Sequence, residues 1–318
     1  MCEQEMKQQP VSIGTFTWAL CLFVLSSVGM MLGNKLAVQV LPLPSTLVLV
    51  QVFGTLLLLS LYRNQLQRFR LDVLREWLPI ALLFSSMIYT SMKSFLYVNV
   101  STMLIFRNIS AIVTTVVEYW VRGTTVNTEI VLSELTIVLG AILYGWGSAN
   151  FSWIGFLWIL TNVGAQVAYG VTLKLKMDGN SNFKEMSKYT MSLYNNTLAI
   201  PPLLLILFVQ GEHTHILPSI ANVTPAGWGT ISLTCFLGFL ISTSGFGLQK
   251  LVSASVFIVI NNLSKFLNIF LGMLWLNDQI SGTLDAAGCV VAILGGCWFS
   301  FAQMRFLEQE KKKKSSTH

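Results

Sequence analysis

Long apolar runs, separated by short polar stretches, dominate the sequence from beginning to end. Each run holds about 20 largely apolar residues, the length that a helix needs to cross the ~30 Å hydrocarbon core of a bilayer. The runs cover approximately 13–33, 43–62, 78–98, 101–121, 131–148, 153–174, 190–210, 227–246, 253–275 and 284–305. This pattern predicts an all-α integral membrane protein with ten transmembrane helices.

The composition supports a membrane protein and excludes several other classes. Hydrophobic residues make up 53% of the chain and charged residues 11%, whereas soluble domains carry about 25% charged residues. Mean hydropathy is +0.65, so a disordered chain is excluded. The five cysteines lack the spacing of a disulfide scaffold. The first run is too long for the apolar region of a signal peptide, and we interpret it as the first span.

Positive charge alternates along the chain in a way that predicts the topology. Most of the 20 Lys and Arg residues lie in the stretches that would share one side of the membrane. The positive-inside rule makes that side cytoplasmic and places both termini there. The net charge of +6 therefore orients the protein, and no nucleic-acid partner is expected. We expect the tail, Lys311 to Lys314, to contact anionic lipid, and Asn222 begins a glycosylation sequon in a predicted lumenal loop.

Four basic residues fall within or at the ends of the predicted spans: Lys35, Lys93, Arg107 and Lys265. Because ionisable groups are costly inside a membrane, they indicate functional sites by default. Lys35 sits at a span end, where snorkelling to the interface is the alternative. The other three lie deeper, where few carboxylates are available to pair with them. They are candidate contacts for an anion, with buried carboxylates or helix carbonyls as the alternative partners.

A short repeat relates the fourth and ninth predicted spans. Asn108-Ile109-Ser110 corresponds to Asn262-Leu263-Ser264 half a chain length later. The chain then divides into five-helix repeats over 1–150 and 151–306, followed by a basic cytoplasmic tail over 307–318. An odd number of helices in each repeat makes the second repeat inverted, which is typical of secondary transporters with a site near the bilayer midplane. For Asn108, interhelical hydrogen bonding in the packed bundle is the alternative.

The seventh predicted span contains Tyr194-Asn195-Asn196. An Asn amide offers a donor and an acceptor side by side, so it can pair with the edge of a nucleobase. Tyr194 could stack on the base or complete a hydrogen bond. Two adjacent amides in an apolar span need partners, and backbone carbonyls freed by Pro201 and Pro202 are the alternative to a ligand.

The sequence resembles the nucleotide-sugar transporters of the drug/metabolite transporter superfamily over essentially its whole length, and the GDP-mannose transporter branch in particular. Phe106–Ser110 and Leu193–Asn196 are close matches to the branch's Phe-Lys/Arg-Asn-Leu/Asn-Thr and Phe/Tyr-Tyr-Asn-Asn stretches. Asn261–Lys265 falls where the branch has Gly-Ala-Leu-Asn-Lys, and keeps only Leu263 and Lys265 of that motif.

The resemblance implies that the span-seven motif contacts guanine and that the span-nine motif contacts phosphate and sugar. The implied substrate-binding residues are Tyr194, Asn195, Asn196, Ser242, Phe257, Asn261, Asn262, Ser264 and Lys265, and additional anion contacts are Lys93, Arg107 and Asn108. Packing is the alternative role for Ser242. Asn261 and Asn262 replace the branch's small residues, and Phe257 replaces its Tyr. A guanine nucleotide is therefore indicated more firmly than mannose.

The function implied is a Golgi antiporter that imports a GDP-sugar, with GDP-mannose favoured, in exchange for GMP by alternating access. The partners are then a nucleotide sugar, a nucleoside monophosphate and membrane lipid, with no cofactor and no metal. The ER membrane is the alternative location, and a homodimer is left open. Alternative functions are an antiporter of UDP-sugars or other nucleotide sugars, and a sugar-phosphate or organic-anion exchanger. A membrane phosphosugar transferase is a distant alternative, because no spans bring carboxylates together.

Overall fold

The computed structural model describes residues 13–67, 70–122, 127–147, 152–179, 183, 186–252, 254–276 and 282–316. Helices account for almost all of these residues, and no strand occurs among them. The helices are α1 Ile13–Val40, α2 Pro44–Ser60, α3 Leu71–Ser94, α4 Val100–Arg107, α5 Ser110–Arg122, α6 Thr128–Gly147, α7 Trp153–Gly179, α8 Lys188–Val209, α9 Ile216–Ala221, α10 Pro225–Leu251, α11 Ala254–Trp275 and α12 Thr283–Ser316.

Seven segments of the described chain are long and apolar enough to cross a membrane. They correspond to α1, α4 with α5, α6, α7, α8, α10 and α12. The remaining predicted runs are also helical: α2 is a shorter apolar helix of 17 residues, and α3 and α11 cover the third and ninth runs. The all-helical prediction is confirmed, while the arrangement as ten spans in an inverted repeat stays a prediction.

The fourth predicted span is not a continuous helix. The side chain of Asn99 accepts a hydrogen bond from the Thr102 amide at 2.8 Å and so caps the start of α4. The helix then ends after eight residues at Arg107, and α5 begins at Ser110. Asn108 occupies the break between them, where its side chain is buried. Discontinuous helices at membrane depth commonly line ligand sites.

The tightest helix contact lies between α6 and α12. A Cβ atom added at Gly140 would overlap the backbone of Ala292, and one added at Gly288 would overlap the backbone of Tyr144. Small residues at such positions let two helix backbones approach closely. The pairs α1–α10, α3–α7 and α2–α8 also pack against each other. Each of these pairs joins an element of 1–150 to one of 151–306, so the two predicted repeats are interleaved in one bundle.

Two charged side chains satisfy helix ends where predicted spans meet their connections. Lys35 donates from Nζ to the carbonyls of Phe95 and Val98, both at 2.8 Å, just beyond the C-terminal end of α3. A cation is favourable there because the carbonyl end of a helix carries partial negative charge. The structure therefore gives Lys35 a structural role, which neither snorkelling nor an anion site describes.

Glu212 performs the complementary role at the start of α2. Its buried carboxylate accepts hydrogen bonds from the backbone amides of Ser45 and Thr46, each at 3.0 Å, and from the Thr46 hydroxyl at 3.0 Å. An anion at a helix N-terminus complements the free amides of the first turn. Gly211 precedes Glu212 with φ +70°, a left-handed conformation that favours glycine. This turn, after α8, is thus fastened to α2.

Candidate functional site

Lys265 and Asn108 meet at the point where the break between α4 and α5 faces α11. The Nζ atom of Lys265 donates to Oδ1 of Asn108 at 3.1 Å. Asn108 is buried and Lys265 is half-buried. The contact brings together residues that the sequence places in the fourth and ninth spans. The amide of Asn108 holds the ammonium by its acceptor oxygen and leaves its positive charge unneutralised.

Arg107 adds a second positive charge beside Lys265. Its Nε atom donates to Oε1 of Gln166 on α7 at 2.7 Å, and its guanidinium lies close enough to Lys265 for the two charges to repel. Across the described part of the chain, no carboxylate forms an ion pair with either residue. We call Arg107, Asn108, Gln166 and Lys265 the two-cation cluster.

The chemistry of the two-cation cluster suits an anion that carries more than one negative charge. Two like charges in a partly desolvated environment destabilise each other unless a counter-charge lies between them. The compact ammonium of Lys265 binds phosphate as a point charge, whereas the planar guanidinium of Arg107 can bind it through two parallel hydrogen bonds. A diphosphate or a phosphate monoester meets both requirements.

Other residues of α11 that were predicted to bind substrate point in several directions. Asn261 precedes Lys265 by one helical turn, so the two residues share a face of α11. Asn262 instead donates to Ser300 Oγ of α12 at 2.6 Å. The Ser264 hydroxyl donates to the Ile260 carbonyl of its own helix at 3.0 Å. Asn261 therefore lies on the face of α11 that carries Lys265, whereas the Asn262 amide is engaged with α12.

Phe257 and Lys93 both lie against aromatic rings. The ring of Phe257 packs on Phe23 of α1, with centroids 5.5 Å apart. The Nζ atom of Lys93 lies 6.0 Å from the centre of the Trp158 ring on α7, near the outer limit for a cation–π contact. Neither side chain contacts a residue of the two-cation cluster among the described contacts.

Tyr194 and Asn195 are buried where α8 meets α3 and α7. The Oδ1 atom of Asn195 accepts a hydrogen bond from Trp77 Nε1 at 2.6 Å, and its Nδ2 atom donates to the Tyr169 hydroxyl at 2.9 Å. The Tyr194 hydroxyl accepts a hydrogen bond from the Arg70 amide at 2.8 Å. Both polar ends of the Asn195 amide are thus engaged within the protein.

The segment before α3 also rests on the beginning of α8. The Ser187 hydroxyl donates to the Gln65 carbonyl at 3.0 Å, while Tyr194 holds the backbone of Arg70. The Arg70 guanidinium forms an ion pair with Asp72 at 2.6 Å. The hydrogen bond from Arg70 lowers the pKa of the exposed Asp72 carboxyl. Tyr194 is therefore placed to connect the position of this segment with that of α8.

Asn196 and Ser242 are linked through Ser192. Asn196 donates from Nδ2 to the Ser192 carbonyl at 2.8 Å, and the hydroxyls of Ser192 and Ser242 lie 2.6 Å apart. The cluster spans α8 and α10 and contains two of the predicted substrate-binding residues, Asn196 and Ser242. Ser192 was missed in the sequence, although it precedes Asn196 by one helical turn. Gln166 was missed as well, and its only signal was an amide in an apolar run.

The structure places the two groups of predicted site residues in different parts of the bundle. Helix α8 packs mainly on α2, α3 and α10, whereas α11 packs mainly on α1, α4 and α12. In the described chain, no extensive contact joins α8 to α11 or to α4. A ligand that touches both groups must therefore extend between them. No group of three or more His, Cys, Asp or Glu side chains that could hold a metal ion occurs in the ranges given above.

Comparison with protein families assigns the chain. The profile of the Triose-phosphate Transporter family matches residues 15–300. The chain belongs to this family. The family is part of the drug/metabolite transporter superfamily, which confirms the resemblance that the sequence motifs indicated.

Several relatives of this chain carry names that specify a substrate. The GDP-mannose transporter GONST1 of Arabidopsis thaliana is 24% identical over 74% of this chain and 71% of its own. The GDP-fucose transporter 1 of Arabidopsis thaliana is 26% identical over 91% and 85%. The probable GDP-mannose transporter 2 of Saccharomyces cerevisiae is 26% identical over 87% and 83%.

A solved crystal structure is similar in fold. It superposes with a TM-score of 0.57 at 14% identity and covers 92% of this chain and 99% of its own. The similarity extends over nearly the whole chain, so the helical fold described above also occurs in a solved structure.

Proposed function

We propose that the protein exchanges a GDP-sugar for GMP across the Golgi membrane, with GDP-mannose as the favoured sugar nucleotide. The observation that carries this proposal is the two-cation cluster, in which Lys265 contacts Asn108 across 3.1 Å and Arg107 lies beside them without a carboxylate partner among the described residues. Nucleotide sugars and nucleoside monophosphates both carry phosphate. One basic site can therefore bind them in turn, as exchange requires.

The packing of the bundle supports an inverted repeat of ten spans. If 1–150 and 151–306 are equivalent, α1 corresponds to α7, α2 to α8, α3 to α10 and α6 to α12, while α4 with α5 corresponds to α11. Under this correspondence the contact α1–α10 maps onto α7–α3, and α2–α10 maps onto α8–α3. All four contacts occur in the structure. The pairs α2–α8, α4–α11 and α6–α12 map onto themselves, as helices around a pseudo-two-fold axis would.

That axis passes between the helices that carry the site. The two-cation cluster lies at α4–α11, and the group of Tyr194, Asn195 and Asn196 lies on α8, which pairs with α2. In this proposal a GDP-sugar extends between the two groups, with its base near α8 and its diphosphate at Lys265 and Arg107. Rocking of one repeat against the other would then expose the site alternately to each side.

The relatives support guanine as the base. The three relatives described above are named for GDP-mannose or GDP-fucose, and the linked side chains of Ser192, Asn196 and Ser242 offer hydrogen-bonding groups near α10. Asn261 and Asn262 replace smaller residues of the GDP-mannose branch. We therefore assign the guanine nucleotide first and rank the sugars by experiment.

A sugar-phosphate exchanger is the second candidate. The observation that favours it is that Asn195 forms hydrogen bonds with Trp77 and Tyr169, and Tyr194 forms one with the backbone of Arg70. If these contacts persist during transport, α8 is a structural helix and reads no base. The two-cation cluster would then bind a phosphate monoester alone.

Ligand-induced thermal stabilisation of the purified protein separates the two candidates. A ligand that binds only the folded state raises the apparent stability by an amount that grows with the logarithm of the ratio of ligand concentration to Kd. We expect GMP, GDP and GDP-mannose to raise the melting temperature, and UMP, UDP-glucose and glycerol phosphate to do so far less. Stabilisation by glycerol phosphate without stabilisation by GMP would favour the sugar-phosphate exchanger. Lys265→Gln should greatly reduce either response at the same ligand concentration.

The orientation and assembly follow from the same proposal. Both termini face the cytoplasm, because the basic connections and the tail share that side. We favour residence in the Golgi membrane over the ER membrane. The proposal is compatible with a monomer or with a homodimer. Glycosylation at Asn222, scored by a glycosidase-sensitive mobility shift, would place the loop before α10 in the lumen. A protease that cuts the tail in sealed microsomes would place the C-terminus outside.

A further inference from the structure

A cavity lies between α1, α8 and α10, and none of the residues of the two-cation cluster lines it. Its volume is about 340 Å³, within the range of about 300–1,000 Å³ that small-molecule sites occupy. Trp18 and Leu22 of α1 and Leu251 of α10 make most of its wall apolar, while Lys188 and Ser244 supply polar groups. Among the described residues that line it, the cavity therefore combines a mainly apolar wall with the cation of Lys188.

Lys188 is the first residue of α8, and its charge has no carboxylate partner among the described residues. Its Nζ atom lies 5.0 Å from the ring of Tyr189. The stem of Lys188 runs along Gly247: a Cβ atom added there would come within 3.3 Å of Cδ and 3.6 Å of Nζ. The absence of a side chain at Gly247 thus lets the ammonium reach the cavity wall.

The position of the cavity along the bundle indicates what can reach it. It lies where α1 and α8 begin and where α10 ends, which places it at one membrane interface. Trp18 is 71% exposed there, as expected for a ring in the interfacial aromatic belt. A molecule that lies in the membrane can therefore enter this cavity sideways from the lipid.

We propose that this cavity binds an anionic phospholipid, with its headgroup on Lys188 and an acyl chain along Trp18 and Leu22. Basic pockets between transmembrane helices bind anionic headgroups in this way. A small soluble anion would satisfy Lys188 but would leave the apolar wall facing water, which is unfavourable. A neutral lipid would fill the wall but would leave the half-buried ammonium without a counter-charge. Lys188 and Ser244 belong to the same helices as the proposed base contacts Ser192, Asn196 and Ser242, but the lipid proposal does not depend on which substrate is transported.

Lipid-dependent stabilisation tests the proposal directly. The purified protein is placed in nanodiscs of phosphatidylcholine, with or without a fraction of phosphatidylserine, and its melting temperature is measured. We expect phosphatidylserine to raise the melting temperature of the wild type, and Lys188→Gln to reduce this increment to about a third or less because the anionic headgroup loses its cation. Lys188→Arg should keep it. Lys188→Gln should melt like the wild type in phosphatidylcholine alone.

Lys176 provides the matched control. It lies near the end of α7 and pairs with Glu76 at 3.8 Å, outside the cavity. Lys176→Gln removes the same charge from the neighbouring helix end, and we expect it to keep the full phosphatidylserine increment. An equal loss in both variants would show a general charge effect and would overturn the proposal. An undiminished increment in Lys188→Gln would overturn it as well.

Fluorescence quenching places the lipid in the cavity by a second route. The fluorescence emitted by Trp18 is taken as the difference in emission between the wild type and Trp18→Phe. Brominated phosphatidylserine should quench this emission more strongly than brominated phosphatidylcholine. Inorganic phosphate and glycerophosphoserine, which lack chains, should not relieve the quenching of Trp18 by brominated phosphatidylserine. Equal quenching by the two lipids, or relief of the quenching by the soluble anions, would contradict lipid binding at Lys188.

Discussion

Lys265 donates a hydrogen bond to Asn108 across 3.1 Å although 157 positions separate the two residues in the chain. Asn108 occupies the break between α4 and α5, and Lys265 lies on α11. The contact therefore joins the two predicted repeats at helices that the proposed repeat would make equivalent. Because an amide oxygen does not neutralise an ammonium, the pair stays positively charged and remains ready for an anion.

Replacing Lys265 should remove most of the affinity for phosphate-bearing ligands. A hydrogen bond to a charged group contributes about 1.5–3 kcal/mol, so Lys265→Ala should weaken binding of GMP and GDP-mannose by about 10- to 100-fold. The melting temperature without ligand should change little, since the variant also relieves repulsion with Arg107. Lys176→Ala, which removes an exposed lysine, serves as the control. Retained exchange by folded Lys265→Ala would refute the phosphate assignment.

Gln166 should act on the site through Arg107. Its Oε1 atom accepts from Arg107 Nε at 2.7 Å and so fixes the guanidinium. We expect Gln166→Ala to weaken the binding of phosphate ligands by about 3- to 10-fold, equivalent to a net hydrogen bond of about 1 kcal/mol. Gln166→Glu should weaken it further, because a carboxylate neutralises Arg107. If Gln166→Glu binds these ligands as well as the wild type, Arg107 does not contact the anion.

Asn195 should matter for stability as well as for the base. Truncation to Ala leaves the buried Trp77 Nε1 without its acceptor and the Tyr169 hydroxyl without its donor, at about 1–3 kcal/mol for an unsatisfied buried group. Asn195→Ala should therefore lower the melting temperature by several degrees, and the loss caused by Trp77→Phe should be smaller in this background than in the wild type because the hydrogen bond is already absent. Thermal unfolding of the single and double variants measures this coupling.

The base assignment makes its own prediction for the same pair of residues. Asn195→Ala and Asn196→Ala should weaken the binding of GMP, GDP-mannose and GDP-fucose by similar factors, because the guanine is common to all three ligands. Competition binding gives the three ratios for each variant. A variant that discriminates between the two sugars would assign its residue to the sugar end instead.

Glu212 should stabilise the turn after α8 by fastening it to α2. Glu212→Ala leaves the amides of Ser45 and Thr46 without their acceptors, so hydrogen exchange at the start of α2 should accelerate and the melting temperature should fall. Glu212→Gln retains an acceptor oxygen, so its exchange rates and melting temperature should lie between those of the wild type and Glu212→Ala. Glu129, whose pair with Arg305 is exposed, offers a control, since Glu129→Ala should have a small effect. Wild-type exchange rates in Glu212→Ala would contradict the role.

The contact between α6 and α12 should not tolerate even one methyl group. Gly288→Ala places a Cβ against the backbone of Tyr144, which cannot move without displacing α6. We expect a lower yield of monodisperse protein and a melting temperature reduced by many degrees. Gly164→Ala is the matched control, because nothing lies within 4 Å of the added atom and alanine favours helix by about 0.5–1 kcal/mol. Equal behaviour of the two variants would show that α6 and α12 pack differently.

Hydropathy predicted the helices well because a bilayer imposes a length and an apolar composition on every span. It could not predict that the fourth span breaks at Asn108, since apolar residues continue on both sides of the break. Nor could it predict the roles of Lys35 and Glu212. Each satisfies a helix end that is distant in sequence, and a helix end shows which groups it lacks but not which side chain supplies them.

The candidate site was easier to predict at basic residues that lack nearby carboxylates in the sequence. It was harder to predict at Asn residues, whose amides can form hydrogen bonds with other side chains of the protein. Arg107 and Lys265 stood out because the spans contain few carboxylates, and the structure brings them together. Asn195 and Asn262 carry the same type of amide, yet they bond to Trp77 and to Ser300. Sequence cannot distinguish an amide that faces a ligand from one that faces a neighbouring helix, because both reduce the same desolvation cost.

Counterflow in proteoliposomes tests the central claim most directly. Vesicles are preloaded separately with GMP, UMP, CMP, AMP or inorganic phosphate, and labelled GDP-mannose is supplied outside. The account predicts rapid uptake into vesicles loaded with GMP and background uptake into the others, with Lys265→Ala at background throughout. Uptake that is driven equally well by UMP or by phosphate would contradict the assignment of a guanine-nucleotide exchanger.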